Sequence, residues 1–466
     1  MRISQKSKRV LRVVDVLKEK SIIKYIIIRK CIMEETIQSK KWKKSMLLIL
    51  LCWLAYSCSY LGKVNYSANI TQIESYFGVS HAEAGMVSTF FFFAYGVGQI
   101  INGIFCVRYN VKYVVFGGLI CSGLANLGIA LVNNFTIIKY LWLLNGASLS
   151  VLWPCLIGLL GKTLKKEDMA KASMIMGTTV ATGTLIIYGL SALFAKLNVF
   201  KFSFFTPAII VPCIAFVWIF SFDKLTTRTE GDDGSLDENA GVKPKKIGKT
   251  GGQVCVEKKK MPKDILGMIC VMAFFAVATN LVADGLTTWV PSILKETYGL
   301  DDSLSILLTL FLPLLAIFGN FFAVTLYKYT KSFVLNCAFL FLGAAVLILA
   351  IIGLLSTEIF ILTIACFAIV RFFAGSSNST ITSITPLFLK GKVEPGRIAG
   401  LLNGFCYAGS TISSYGLGVI ADNRGWDSVF YLLFGVCVSV CVVATIYTLI
   451  MRVQEKKKGE QSLESK

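Results

Sequence analysis

A chain of 466 residues that is 55% hydrophobic and only 16% charged, with a mean hydropathy of +0.68, is too apolar for a soluble domain of ordinary composition. Its formal charge of +20 lies in tails and short loops between apolar runs, which is the distribution of a membrane protein with basic cytoplasmic loops and argues against a nucleic-acid footprint. The 14 cysteines fall mostly inside apolar segments, as at Cys52, Cys121, Cys270 and Cys337; with no Cys-x-x-Cys pair and a single histidine, His81, neither a metal site nor a disulfide framework is expected.

In chain order, residues 1–44 form a strongly basic extension whose one apolar stretch, Ile22 to Ile28, is too short to cross a bilayer, so it is expected to be cytoplasmic or to lie on the membrane surface. It lacks the apolar core and cleavage site of a signal peptide, and Met33 is a second candidate start. Apolar runs then recur near 46–70, 83–106, 112–132, 137–162, 171–196 and 202–221, and again near 264–292, 304–327, 333–354, 358–380, 398–420 and 428–451. Each approaches the roughly 20 helical residues that span hydrocarbon. Their continuous apolarity favours helices over a barrel.

The expected fold class is an all-α integral membrane protein with twelve transmembrane helices in two six-helix halves. The halves occupy 45–221 and 263–452, separated by a polar cytoplasmic linker at 222–262 and followed by a cytoplasmic tail at 453–466. Loops after spans two, four, eight and ten carry Arg108 and Lys112, Lys165 and Lys166, Lys328 and Lys331, and Lys390, Lys392 and Arg397. The loop after span one has Glu74 and Glu83 but neither lysine nor arginine, so both termini are predicted inside. No Gly-x-x-x-x-Gly-Lys-Ser/Thr run exists to bind nucleotide, which argues against ATP-driven transport. Two halves on a long linker are the plan of secondary transporters with a site near the midplane.

Ionisable and polar groups inside apolar runs mark that site, because a charge at membrane depth costs roughly 2.5 to 3.5 kcal/mol on insertion scales. Tyr56, Tyr60 and Lys63 fall at i, i+4 and i+7, so a continuous first helix would present two phenols and one ammonium on one face. Snorkelling of Lys63 to an interface is the bland alternative. Span seven carries Asn280, Asp284, Thr287 and Thr288 on one side, with Asp284 the one clearly deep acid; it is expected to pair with Lys63, carry a proton, or bind a cationic substrate group. In span ten, Arg371 precedes Ser376, Ser377, Asn378, Ser379 and Thr380, a run expected to line water. Gln99 and Tyr95 share a face of span two, while Asn145 accompanies Trp153 and Pro154 in span four; interhelical hydrogen bonding explains Gln99 and Asn145 as well as ligand contact does.

Several stretches resemble the major facilitator superfamily, and within it the organophosphate:phosphate antiporter family of glycerol-phosphate and hexose-phosphate carriers. They are Tyr60-Leu-Gly-Lys-Val-Asn65, Ala84-Gly-Met-Val-Ser-Thr89, Ala94-Tyr-Gly-Val-Gly-Gln-Ile-Ile-Asn-Gly103, Leu141-Trp-Leu-Leu-Asn-Gly146, Trp153-Pro154, Trp289-Val-Pro291 and Gly425-Trp426. The resemblance implies a phosphate held between basic residues of the first and seventh helices and supported by tyrosines. Those positions fall on Lys63, on or beside Ala283 and Asp284, and on Tyr56, Tyr60, Tyr95 and Tyr407. The second-helix lysine position is Gln99, the fifth-helix histidine position falls near Thr178, and the fourth-helix glutamine position is Leu149. In the loop after span two, Gly103, Arg108 and Lys112 persist, while Val107 replaces an acid.

Together these readings predict a secondary transporter, not an enzyme. It would move a small polar, anionic metabolite such as an organophosphate or sugar phosphate, by antiport with phosphate or another counter-ion, as a monomer in the cell membrane and without a cofactor. Substrate contacts are expected from Lys63, Tyr56, Tyr60, Tyr95, Gln99, Asn280, Asp284, Arg371 and Tyr407. Two rivals stay open at this level: a proton-coupled carrier of a zwitterionic or cationic solute read by Asp284, and a transporter-like membrane sensor.

Overall fold

The computed structural model describes residues 43–105, 110–164, 166–226, 263–357, 359–389 and 395–464. Most of the basic extension with Met33, the 227–262 part of the linker, Val107, Arg108, Lys165, Lys390, Lys392 and the side chains of Lys166 and Arg397 lie outside the described residues.

The apolar runs fold as long helices. The first half contains α1 (Lys43–Leu61), α2 (His81–Gly103), α3 (Val111–Leu131), α4 (Phe135–Thr163), α5 (Lys171–Lys196) and α6 (Phe202–Thr226). In the second half, α7 (Ile265–Tyr298) leads to α8, a sharply bent pair (Asp302–Ala316 with Phe321–Thr330). Helices α9 (Phe333–Leu354) and α10 (Phe360–Ile384) follow, then the 57-residue segment Ile398–Gln454. Gly425 interrupts that segment at φ 76°, ψ 174°, a backbone conformation that favours glycine, and divides it into α11 (398–424) and α12 (426–454). By length and apolarity ten helices among the described residues suit a membrane crossing, or eleven with the bent pair; the count of twelve follows from taking the Gly425 segment as two.

Helix starts follow local chemistry. Asn110, Asn134, Asp301 and Ser332 each accept a hydrogen bond from a first-turn backbone N–H of α3, α4, α8 and α9. The principal departure from the expected spans is in the first. The helix ends at Leu61, and Gly62 to Val64 form a turn before short helices at Asn65–Ala68 and Ile70–Phe77. Asn145 donates to the freed Gly62 carbonyl at 2.6 Å and Asn126 at 3.3 Å, so α3 and α4 stabilise the break. Ser122 in turn donates to Asn145 at 2.6 Å. Asn145 is thus a structural residue, the interhelical alternative to ligand contact.

The two halves meet along α2 with α11 and α5 with α8. A Cβ on Gly96 would lie 2.8 Å from the Tyr407 Cβ, and one on Gly85 would lie 2.0 Å from the Ser414 carbonyl oxygen, so α2 approaches α11 more closely than a side chain at either position allows. Near the bundle end away from the 226–263 connection, Thr71 donates to Asp302 at 2.7 Å and Ser303 to the Ala192 carbonyl at 2.8 Å. Asp422 accepts from the backbone N–H groups of His81 and Ala82 at 3.0 and 2.8 Å.

Candidate substrate site

The break after Leu61 places Lys63 on a turn and not on the continuous helical face that its spacing predicts. Its ammonium lies among aromatic rings, with Nζ 3.9 Å from the Tyr95 ring centroid, 4.8 Å from that of Tyr60 and 5.4 Å from that of Tyr407. Nζ also lies 3.4 Å from the Tyr60 hydroxyl. A cation over several ring faces gains electrostatic stabilisation where water is scarce. It is therefore held inside the bundle and does not snorkel to an interface. Tyr56 backs this cage, packing edge-on to Tyr60 at 5.5 Å and against Trp153 at 4.8 Å. Tyr95 and Tyr407 meet edge-on at 4.7 Å, closing the cage with a residue from each half. Tyr56, Tyr407 and the buried Gln99 crowd around the Tyr95 phenol.

The second half contributes a hydrogen-bonded network. Asp284 accepts from Ser410 at 2.5 Å and from the Asn280 amide at 3.1 Å. Asn280 also donates to Ser410 at 3.0 Å and accepts from Asn378 at 3.0 Å, which ties α7 to α10 and α11. The expected Lys63–Asp284 ion pair is not formed; the nearby Ser410 hydroxyl and Asn280 amide both bond Oδ2 of the carboxylate from within its own half. Arg371 sits midway along α10 and donates through Nε to Thr287 at 3.2 Å, one turn beyond Asp284 on α7. Tyr188, buried on α5, lies within electrostatic reach of both Arg371 and Asp284, and its hydroxyl has no hydrogen-bond partner among the described residues.

Part of the polar run after Arg371 does not line water as expected. Ser376 and Ser377 are buried; Ser376 donates to the Phe372 carbonyl, and Ser377 lies 3.0 Å from Thr279 of α7. These hydroxyls join helices. At the related positions off this site, Thr178 accepts from Trp53 at 2.9 Å, and Leu149 is buried in the core. Sequence reasoning missed Ser410 and Tyr188. Ser410 could have been found from its place one turn after Tyr407, on the same face of α11.

The Major Facilitator Superfamily profile matches residues 52–412, with a second match over 328–465. The chain belongs to the major facilitator superfamily. The family and fold are those of transporters, not enzymes. Bovine sugar phosphate exchanger 3 is 25% identical over 408 residues, covering 79% of this chain and 80% of the relative. The Escherichia coli membrane sensor protein UhpC is 20% identical over 415 residues, covering 84% and 89%. A probable hexose phosphate transport protein of Chlamydia trachomatis is 21% identical over 446 residues, covering 91% and 93%. These relatives agree with the antiporter resemblance drawn from the motifs. Among solved structures, an inward-facing, occupied bacterial homologue of the lysosomal transporter Spinster shares the fold, with a TM-score of 0.64 at 14% identity over 87% of this chain and 97% of that one.

Proposed function

We propose that the protein is a secondary transporter of a small organophosphate anion such as a sugar phosphate, exchanged for phosphate as its two halves rock about the central site. The observation that carries this reading is the two half-buried cations contributed by opposite halves, Lys63 in its tyrosine cage and Arg371 beside Thr287. Phosphate favours such a pair because charge-assisted hydrogen bonds are the strong ones, and the arginine fork adds directionality that the lysine lacks. Tyr60, Tyr95 and Tyr407, backed by Tyr56 and Gln99, supply hydroxyls at one side of the substrate, while Asn280 and Asp284 shape the other. The sugar phosphate exchanger and hexose phosphate relatives support the substrate class.

Asp284, bonded to Ser410 and Asn280, is the counter-charge that keeps Arg371 and Lys63 tolerable between substrates. The seal away from the linker then faces outside and both termini face the cytoplasm, as the basic loops require. One chain contains both halves of the site, and the monomer is the working unit. Proteoliposomes loaded with phosphate and given labelled hexose 6-phosphate or glycerol 3-phosphate test the proposal. Saturable uptake that needs internal phosphate is expected; uptake of neither ester would overturn it. The similarity to a membrane sensor supports one rival, which wins if the purified protein binds such an ester but moves none.

A further inference from the structure

His81, the chain's one histidine, sits far from the cage of Lys63 and bridges the two halves where they are sealed. Its Nδ1 lies 2.9 Å from Glu74 Oε1 in the first half, and its Nε2 lies 3.1 Å from Glu296 Oε1 on α7 in the second. The ring packs against Trp289 at 5.5 Å and Trp426 at 5.2 Å, and Trp426 Nε1 donates to Glu296 at 2.9 Å. Asp422, near the end of α11, accepts from the His81 and Ala82 backbone. Nearby, Lys295 is held by Asp302 at 2.8 Å. The acids at the ring are therefore Glu74 and Glu296, with Asp422 on the adjoining backbone, beside two indoles; among the described residues no cation other than the imidazole itself is seen in contact with them.

A neutral imidazole has one donor and one acceptor nitrogen. Here both nitrogens face carboxylate oxygens, so either the ring carries two protons or one carboxyl is protonated. In both cases the closed cluster holds one proton more than a neutral histidine beside two carboxylates. The carboxylate and ring atoms lie within 4.8 Å of one another, but each nitrogen addresses a different acid, which is the geometry of a bridge and not of a chelate. Burial pushes the Glu74 carboxyl above its ordinary range, with His81 opposing that shift.

We infer that this seal is a proton-binding site formed jointly by Glu74, His81 and Glu296, so that closing this end of the transporter takes up one proton and opening it releases one. When the halves part, Glu296, Asp422 and Trp426 leave the ring, and His81 meets water with an affinity near its free value of about 6.5. The sign follows from linkage. The proton is held more tightly closed than open, so the stabilisation of closure is complete below about pH 6.5 and is lost as pH rises toward the closed-state value. Over that window the opening equilibrium grows by up to about tenfold per pH unit.

Hydrogen–deuterium exchange on the full chain in lipid nanodiscs, followed from about pH 6 to pH 9 and corrected for intrinsic exchange, tests this. In the wild type, exchange around His81 and around Asp422 is expected to speed with pH by up to about tenfold per unit, while α9 serves as a pH-insensitive reference. H81Q is expected to open more at every pH and to lose the pH dependence. E296Q, which leaves the histidine needing only one proton, should lose most of it and keeps the test intact if H81Q does not fold. A pH-invariant seal in the wild type, or an undiminished dependence in the variants, would overturn the inference.

Discussion

The two halves hold their buried charges by different means. In the first, Lys63 has no carboxylate in contact among the described residues and is stabilised by ring faces from Tyr60, Tyr95 and Tyr407. In the second, Asp284 and Arg371 are held by short polar side chains, namely Ser410, Asn280 and Thr287. The aromatic cage engages the ammonium through ring faces and one bond to the Tyr60 hydroxyl, whereas the polar network places two donors on Oδ2 of its carboxylate. On the proposed reading the first half therefore grips the anion, and the second half orients and counterbalances it.

Substitutions that separate the two means should differ in size. The largest effect is expected from Lys63→Ala, with initial uptake in phosphate-loaded proteoliposomes falling about 100-fold, the size of one lost charge-assisted contact. Lys63→Arg keeps the cation and should retain most of it; wild-type uptake by Lys63→Ala would remove the cage from the mechanism. Arg371→Ala comes next at about 30-fold, with only partial rescue by lysine, because a point charge cannot fork. A double-mutant cycle of the two should give strong non-additivity if both hold one substrate, and simple additivity if they do not.

Asp284 tests the network by stability. Asp284→Leu removes the acceptor shared by the Asn280 amide and the Ser410 hydroxyl and should cost about 1–3 kcal/mol, read as a lowered thermal midpoint in detergent, while Asp284→Asn should cost less because it keeps an acceptor. Smallest is Tyr56→Phe, which keeps the contacts with Tyr60 and Trp153 and should change uptake less than about threefold, the scale of one neutral hydrogen bond. A large loss there would move Tyr56 from support to direct contact.

Legibility differed in the same way. The apolar runs were readable because lipid imposes long continuous helices, and Lys63 with its tyrosines was readable because a deep charge is costly wherever it stands. The turn at Gly62 was not, since helical periodicity assumes an unbroken ladder and nothing local announces that Asn126 and Asn145 will take over a carbonyl. Ser376 and Ser377 misled for a related reason. A hydroxyl in an apolar run shows that some partner exists, but not whether it is water or Thr279. Arg371 was ambiguous because its depth depended on helix limits uncertain by a few residues, and the Glu74–His81–Glu296 bridge joins positions more than 200 residues apart.

The turn at Gly62 has a further electrical consequence. By ending α1 at Leu61 it sets Lys63 immediately beyond a helix C-terminus, where the aligned peptide dipoles sum to about half a negative elementary charge. The backbone itself thus acts as a partial counter-ion, one that cannot be protonated, exchanged or carried away with the substrate.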